Sequence, residues 1–210
     1  MSEAKVALME QHPGTDATAE SPLHHTLRDS PATGSPGVIL RERALLGHLV
    51  LRGDAGNAAF RDGAATALGT ALPLEPLSLV THGDIQVQWI SPDEWLVILP
   101  GGREHNLEVA LRDALSGHYS VVNVSGGQTV IHMQGPNARD VLMKSAPYNF
   151  HPRNFPVGKG VVTVFAKAGA NIRRVDENAW ELVVRRSFAD YVWRWLLDAG
   201  EEYGVAVEAS

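Results

Sequence analysis

The sequence predicts an α+β protein of two ferredoxin-like lobes, each with the element order βαββαβ, related by an internal repeat. The first observation is the segment 85–100, where apolar and polar residues alternate, an acidic turn follows, and an apolar strand begins at Trp95. The second is that this pattern recurs over 171–186, with Trp180 beginning the apolar strand. The third is the order of elements around each block, which is a split βαβ arrangement.

Further residue pairs support the repeat, because they lie at nearly the same separation along the chain. The separations are 82, 85 and 84 residues for the pairs Gly53 and Gly135, Trp95 and Trp180, and Tyr119 and Tyr203. A shared shift with loops of different length is typical of a duplicated unit. We therefore expect a first lobe over 22–124 and a second over 125–210.

The first lobe follows a tail, residues 1–21, that lacks apolar periodicity and is either disordered or an arm that orders on a partner. Asp54 is in a position to cap a helix with Phe60, Ala64 and Leu68 on one face. The predicted elements, in order, are strands over 38–41 and 48–51, a helix over 55–68, the hairpin 85–100, a helix over 104–115 and a strand over 119–124.

The second lobe begins with a strand over 129–134, and Gly135-Pro136-Asn137 opens a helix with proline where its missing donor costs least. Strand 161–166 and the hairpin 171–186 follow. Ser187, with Asp190 three residues on, has capping-box spacing. The next helix has apolar residues at helical spacing, and strand 203–207 ends the lobe; the helix positions are Phe188, Tyr191, Val192, Trp195, Leu196 and Ala199.

Composition excludes several classes of protein. The chain of 210 residues has no cysteine, which excludes disulfides, thiolate metal sites and cysteine nucleophiles. A net charge of −6 without a long basic cluster argues against nucleic-acid binding. No apolar run is long enough for a membrane span and no signal peptide is evident, so we expect a cytoplasmic protein without a membrane partner.

A search for chemistry predicts no catalytic, cofactor-binding or metal-binding residue. The sequence has neither a dinucleotide-binding glycine motif nor a P-loop, and no serine lies in a nucleophile elbow. Gly158-Lys159-Gly160 is interpreted as a loop before a strand. Asp93-Glu94 and Asp176-Glu177 occupy equivalent hairpin turns, where acids are usually solvated turn formers rather than acid–base pairs.

The nine histidines do not have the spacing of zinc ligands. His24 and His25 are adjacent and border the tail, and His132 is interpreted as a core or surface residue of a strand. Trp193 and Trp195 lie on different faces of one helix, since residues two apart diverge by about 200°. One is therefore expected in the core, and the other at an exposed position suited to a protein interface.

Three segments resemble the gamma subunits of bacterial heterotetrameric sarcosine oxidases: WISPDEWLVILP, VNVSGGQTVIHMQGPNARDVLMKSAP and WELVVRRSFADYVWRWLLDAGEEYG. The resemblance extends from about residue 21 to the end. The block 135–140, Gly-Pro-Asn-Ala-Arg-Asp, is similar to the folate-binding domain of the glycine cleavage aminomethyltransferase, which also has two α+β lobes. The resemblance implies an accessory subunit of that fold.

What the resemblance implies for function comes from the family. Its complex converts sarcosine to glycine and hydrogen peroxide and passes the one-carbon unit to tetrahydrofolate, giving 5,10-methylenetetrahydrofolate. The partners would be alpha, beta and delta subunits, and these would carry FAD, covalent FMN, NAD and a tetrahydrofolate site. The gamma subunit itself would carry no cofactor and would support assembly without catalysing the reaction.

Two alternatives stay open from the sequence. One is a folate-binding, aminomethyltransferase-like enzyme, although an aminomethyltransferase continues into a further domain and no folate-contacting residue transfers to a position here. The other is a standalone regulatory binder of small molecules. The absence of a nucleophile, nucleotide loop or metal set favours the accessory subunit.

Overall fold

The structure of the protein is a computed structural model that describes residues 18–25 and 35–208. The predicted tail falls largely on residues 1–17, which lie outside the described part. Within it the strands are β1 Val38–Arg43, β2 Gly47–Gly53, β3 Leu79–His82, β4 Ile85–Ser91, β5 Glu94–Leu99, β6 Tyr119–Asn123, β7 Gln128–Gln134, β8 Gly160–Phe165, β9 Ala168–Asp176, β10 Ala179–Arg185 and β11 Val205–Glu208. The α-helices are α1 Ala58–Leu68, α2 Glu104–Ala114, α3 Ala138–Ser145 and α4 Ala189–Gly200.

The first sheet has the order β3-β4-β5-β2-β6, and all its neighbouring strands are antiparallel. Alternate residues of β5 point to opposite faces, so Trp95, Val97 and Leu99 pack on one side. That side is covered by α1 and α2, whose apolar faces meet the sheet in one core. The predicted inward face of α1, with Phe60 at its start, is confirmed.

The second sheet has the order β11-β1-β7-β10-β9-β8. Its strands are antiparallel except for the β1–β11 pair, which is parallel. One face packs on α3 and α4 around the fully buried Trp180 and Trp193. Leu23, from the short described segment 18–25, is also buried in this core.

The two sheets lie face to face, and the helices cover their outer faces. Leu96 and Ile98 of β5 contact Val130 of β7 and Val183 of β10 across the gap. Each sheet therefore uses one face for its own helices and the other for its partner sheet, giving four layers. No helix among the described residues has the length and apolar character needed to cross a membrane.

The α+β class, two sheets and the positions of both hairpins agree with the sequence prediction. Strand β1 pairs with β7 and β11, so residues 38–43 complete the second sheet although they precede the whole first sheet. Strand β3 was not predicted. The pairs Gly53 and Gly135, and Trp95 and Trp180, occupy corresponding positions at strand ends and strand starts in the two sheets.

Two predicted helix caps are wrong. Asn57, not Asp54, caps α1, because its side-chain oxygen accepts a hydrogen bond from the amide of Ala59 at 2.9 Å. Asp54 instead accepts from the amide of Gly56 at 2.8 Å, which forms a turn ahead of the helix. Ser187 lies in a 3₁₀ turn, Arg186–Phe188, and does not cap α4.

The predicted inward face of α4 is also displaced. Trp193 is buried together with Val192 and Leu196, whereas Phe188 and Trp195 are 43% and 37% exposed. Phe188 lies in the 3₁₀ turn before α4, and within α4 the buried side is centred on Val192 and Leu196 but includes Ala189 and Trp193 in place of Tyr191 and Trp195. The expectation that one of Trp193 and Trp195 is core and the other exposed is confirmed.

Candidate functional site

The most polar part of the interior lies between the two sheets. We call it the central polar layer, and it consists of Arg43, His48, Gln86, Gln88, His132, Asn171, Arg173 and Glu181. Its members come from six strands, because each is the side chain that alternates with a helix-facing residue of its strand. Apolar contacts between the sheets continue beside it.

Glu181 is the centre of this layer and is 2% exposed. Arg173, which is fully buried, donates from Nη2 to Glu181 Oε2 at 2.5 Å and to Gln86 Oε1 at 2.8 Å. Arg43 donates to the other carboxylate oxygen. One carboxylate of the second sheet therefore holds two guanidinium groups, and one of those groups also bonds the first sheet.

His132 extends the cluster without a close bond to the carboxylate. Its Nδ1 lies 3.8 Å from Glu181 Oε1, longer than a hydrogen bond, and its Nε2 lies 3.3 Å from Gln134 Oε1. Burial alone would raise the pKa of Glu181, but the adjacent His132 ring and the positive charges of Arg173 and Arg43 lower it to about 2. Glu181 is therefore ionised at neutral pH.

His48 is the second titratable group that the layer perturbs. Burial, opposed by a hydrogen bond to the carbonyl of Leu46 and reinforced by nearby arginines, lowers its pKa from 6.5 to about 4. Nδ1 lies 3.0 Å from that carbonyl, and the buried Nε2 has no hydrogen-bond partner among the described residues. His48 is neutral at physiological pH and offers one unused acceptor.

A pair of amides closes the other end of the layer. Gln88 and Asn171 exchange two hydrogen bonds of 2.8 Å each, one in each direction, and both side chains are buried. Beyond them the sheets diverge around a cleft of about 320 Å³. Its lining is mainly apolar with charges at the rim, and includes Val50, Ile90, Leu96, Val162, Val183 and Arg185.

This arrangement suits joining of the sheets better than proton transfer. Glu181 and His48 each keep a single charge state across neutral pH, whereas an acid–base catalyst needs a pKa near the working pH. The bonds to Glu181 stay within the second sheet, whereas those from Arg173 to Gln86 and between Gln88 and Asn171 join the two sheets. Among residues 18–25 and 35–208, no group of three or more histidines and acids is placed to hold a metal ion.

The acidic turns singled out from the sequence lie in separate grooves. Asp93 accepts hydrogen bonds from Ser91 Oγ and Arg52 Nη2, and these two contacts lower its pKa. Asp93 lines a groove of about 540 Å³, whereas Glu177 lines a different pocket of about 360 Å³. The structure does not bring the two acidic turns together as an acid–base pair.

The other sequence candidates are also accounted for. His24 Nε2 lies 3.4 Å from a carboxylate oxygen of Glu20, and His25 Nε2 lies 3.6 Å from one of Asp190. The amide of Gly160, at the end of the Gly-Lys-Gly segment, donates to the carbonyl of Leu77 at 2.8 Å, which places this segment at the start of a strand, as predicted. Of the three histidines singled out from the sequence, which are His24, His25 and His132, only His132 belongs to the central polar layer.

Sequence reasoning missed the Arg173–Glu181 pair. The signal was present, because Glu181 stands inside an apolar strand between Trp180 and Leu182, and a charge there needs a partner. The identity of that partner depends on the pairing of β9 with β10, in which Arg173 lies directly opposite Glu181.

The fold is of the α+β class seen in aminomethyltransferases. The glycine cleavage aminomethyltransferase T of Bartonella henselae matches 90% of this chain and 58% of its own, with a TM-score of 0.64 and 12% identity. At that identity the likeness concerns the fold alone. A curated aminomethyltransferase of Halothermothrix orenii is 26% identical over 127 residues, 58% of this chain and 34% of its own.

The chain belongs to the sarcosine oxidase gamma subunit family, whose model matches residues 52–202. The gamma subunit of an Arthrobacter species is 35% identical over 190 residues, 87% of this chain and 90% of its own. The gamma subunit of Corynebacterium sp. strain U-96 is 33% identical over 200 residues, which are 89% of this chain and 92% of its own. A chain of the solved heterotetrameric sarcosine oxidase from Corynebacterium sp. U-96 aligns with a TM-score of 0.81 and 29% identity, over 88% of this chain and 96% of its own.

Proposed function

We propose that this chain acts as the gamma subunit of a heterotetrameric sarcosine oxidase, and that it supports assembly of the complex without catalysing its reaction. The observation that carries the proposal is the central polar layer. Arg173, paired with Glu181 in the second sheet, bonds Gln86 of the first sheet, so the chain's own side chains occupy the centre of the gap between the sheets, and the cleft of about 320 Å³ lies beside them. Such a chain works through its outer surface.

The partners in this proposal are the alpha, beta and delta subunits, which would carry FAD, covalent FMN, NAD and the tetrahydrofolate site. The complex would oxidise sarcosine to glycine and hydrogen peroxide in the cytoplasm, giving 5,10-methylenetetrahydrofolate. Membership of the gamma subunit family and the match to a heterotetrameric enzyme support this assignment.

We also infer that the two halves are variants of the ferredoxin-like βαββαβ unit, divided near residue 124. The order β4-β5-β2-β6 in the first sheet, with α1 and α2 as crossovers, supports this reading. In the second half the same order, β9-β10-β7-β11, is interrupted by β1 between β7 and β11. Strand β1 is then an addition that ties the N-terminal segment to the second half.

Co-expression of the partner subunits with and without this chain tests the proposed role. Because a subunit that binds only folded partners stabilises them by mass action, omission should lower their yield or melting temperature. A permanent interface would bury well over about 1,000 Å², enough for a large effect. Reduction of the flavins by sarcosine should persist in whatever complex survives, measured in a single turnover.

The alternative, a folate-binding role like that of an aminomethyltransferase, predicts a different result. The partners would then assemble normally without the chain and reduce their flavins, but transfer to tetrahydrofolate would fail. That outcome would overturn the assembly role and assign a folate site to this chain.

A further inference from the structure

A pocket of about 360 Å³ lies at one end of the second sheet, away from the central polar layer. It forms where the β7–α3 turn meets the β9–β10 turn, and the amide of Gly135 donates to the carbonyl of Asn178 at 3.0 Å to join them. Gly135 has a φ of 129°, and a Cβ there would come within 2.4 Å of the carbonyl oxygen of Gly37. The close approach of the β7–α3 turn to Gly37 therefore requires glycine at position 135.

Arg174 forms the floor of this pocket and carries a buried charge without a counterion. It is only 7% exposed, and its guanidinium donates to two neutral acceptors, the carbonyls of Phe155 at 2.9 Å and Glu177 at 2.6 Å. Its buried Nε has no partner, and no carboxylate of the described residues lies within ion-pair distance. Buried charges are normally paired, because an unpaired one is costly to remove from water.

The neighbouring Arg173 has the counterion that Arg174 lacks in the described part of the chain. It points to the opposite face of β9, is fully buried, and has the carboxylate of Glu181 at 2.5 Å. Within the described residues both arginines keep a buried Nε without a partner, but Arg173 has an anion inside the protein and Arg174 does not. The open side of Arg174 faces the pocket.

The pocket wall adds a second free guanidinium. Arg139, exposed on the first turn of α3, makes no hydrogen bond or ion pair with the part of the chain that is described. Trp180 supplies an aromatic wall, with the Arg174 guanidinium carbon 5.5 Å from its ring centroid. Glu177 contributes one carboxylate at the rim, so the two arginines leave the pocket with a net positive charge.

We propose that this pocket binds a carboxylate group, which Arg174 and Arg139 hold from two sides. The planar fork of a guanidinium matches the two oxygens of a carboxylate, and such charge-assisted bonds are stronger than those between neutral groups. The volume lies at the lower end of the range for small-ligand sites, which suits a small organic acid. The carboxylate comes either from a free acid of that size or from an acidic side chain of a bound partner.

Titration of the full-length chain with sodium glutarate at low ionic strength tests the first source. Heat of binding and the indole N–H resonance of Trp180 both report on the pocket. Arg139→Gln should weaken binding roughly ten-fold, the usual effect of losing one hydrogen bond to a charged group. Arg139→Lys should recover only part of the affinity, because the charge returns without the fork.

Arg153→Gln is the matched control, since Arg153 is exposed in the adjacent loop but does not line the pocket. Glutarate binding that Arg139→Gln weakens and Arg153→Gln leaves unchanged assigns the pocket to a free acid. If glutarate does not bind, but Arg139→Gln lowers recovery of the chain with its partner subunits and Arg153→Gln does not, the carboxylate belongs to a partner side chain. Equal behaviour of the two variants in both experiments overturns the proposal.

Discussion

Replacing Glu181 with glutamine keeps the shape of the side chain and removes the charge that holds the central polar layer together. Arg173 would stay fully buried and Arg43 nearby, so two positive charges would face each other without their shared anion. Breaking a buried ion pair by removal of one partner typically costs about 3–5 kcal/mol. The lowered pKa of Glu181, from 4.5 to about 2, gives a similar figure of roughly 3 kcal/mol.

Urea unfolding of the chain at pH 7 measures this cost directly, and the melting temperature should fall by roughly 6–20 °C for a chain of this size. The effect should depend on pH. Because the folded pKa of Glu181 lies below its unfolded value, the carboxylate stabilises the protein fully above pH 4.5 and loses this effect as the pH falls through 2. The difference between the two proteins should therefore shrink in acid.

Glu202→Gln provides a matched control, because it removes the same charge from a surface pair with Lys144 in which both side chains are at least 40% exposed. Such solvent-exposed pairs contribute little to stability, so this variant should unfold at nearly the same urea concentration as the unaltered chain. A double variant, Arg173→Met with Glu181→Gln, should recover much of the lost stability, since the fully buried guanidinium is removed together with its anion and the remaining Arg43, at 31% exposure, still reaches water. A cost below about 1 kcal/mol for Glu181→Gln at pH 7 would refute the reasoning about the layer.

Two further predictions concern stability. Trp95→Ala and Trp180→Ala should each lower the free energy of unfolding in urea by about 3–5 kcal/mol, because both rings are at most 1% exposed. Trp195→Ala is the control and should cost clearly less, because this ring is 37% exposed. Equal costs for all three variants would contradict the core assignment. The folded pKa of His48, about 4, lies below its unfolded value of 6.5, so stability should fall as the pH is lowered from 6.5 to 4. His48→Gln should flatten that part of the pH profile of stability, and an unchanged slope would count against a buried neutral ring.

The sequence predicts the local helices and strands much better than it predicts which strands and side chains pair with one another. The hairpin strands around Trp95 and Trp180 follow from alternation over a few residues, and the structure places both tryptophans in the cores as expected. The predicted cap of α1 is wrong because Asp54 and Asn57 are both good capping residues and lie only three positions apart. Nothing in the local pattern decides between them, whereas the path of the chain out of β2 does.

Long-range pairing was beyond local reasoning for a different reason. Strand β1 inserts between β7 and β11, and its register pairs Leu40 with Met133 and with Val207. Partners so far along the chain leave no periodic trace near residue 40. The central polar layer has the same character, since Arg173 meets Gln86 only because the two sheets stack, and that packing is a property of the whole fold.

The stacked arrangement determines which surfaces remain for other molecules. Both sheets have one face on helices and the other on each other, so the large apolar side chains that stay exposed lie on outer helix faces, on edge strands and in loops. Met143 and Trp195 project from α3 and α4, and Val162 and Val164 from the edge strand β8. Contiguous patches of such groups mark contact sites for other proteins, whereas single exposed apolar residues are common on any protein surface. Val162 and Val164 lie two residues apart on one strand and so share a face, and we therefore expect a partner subunit to cover this edge.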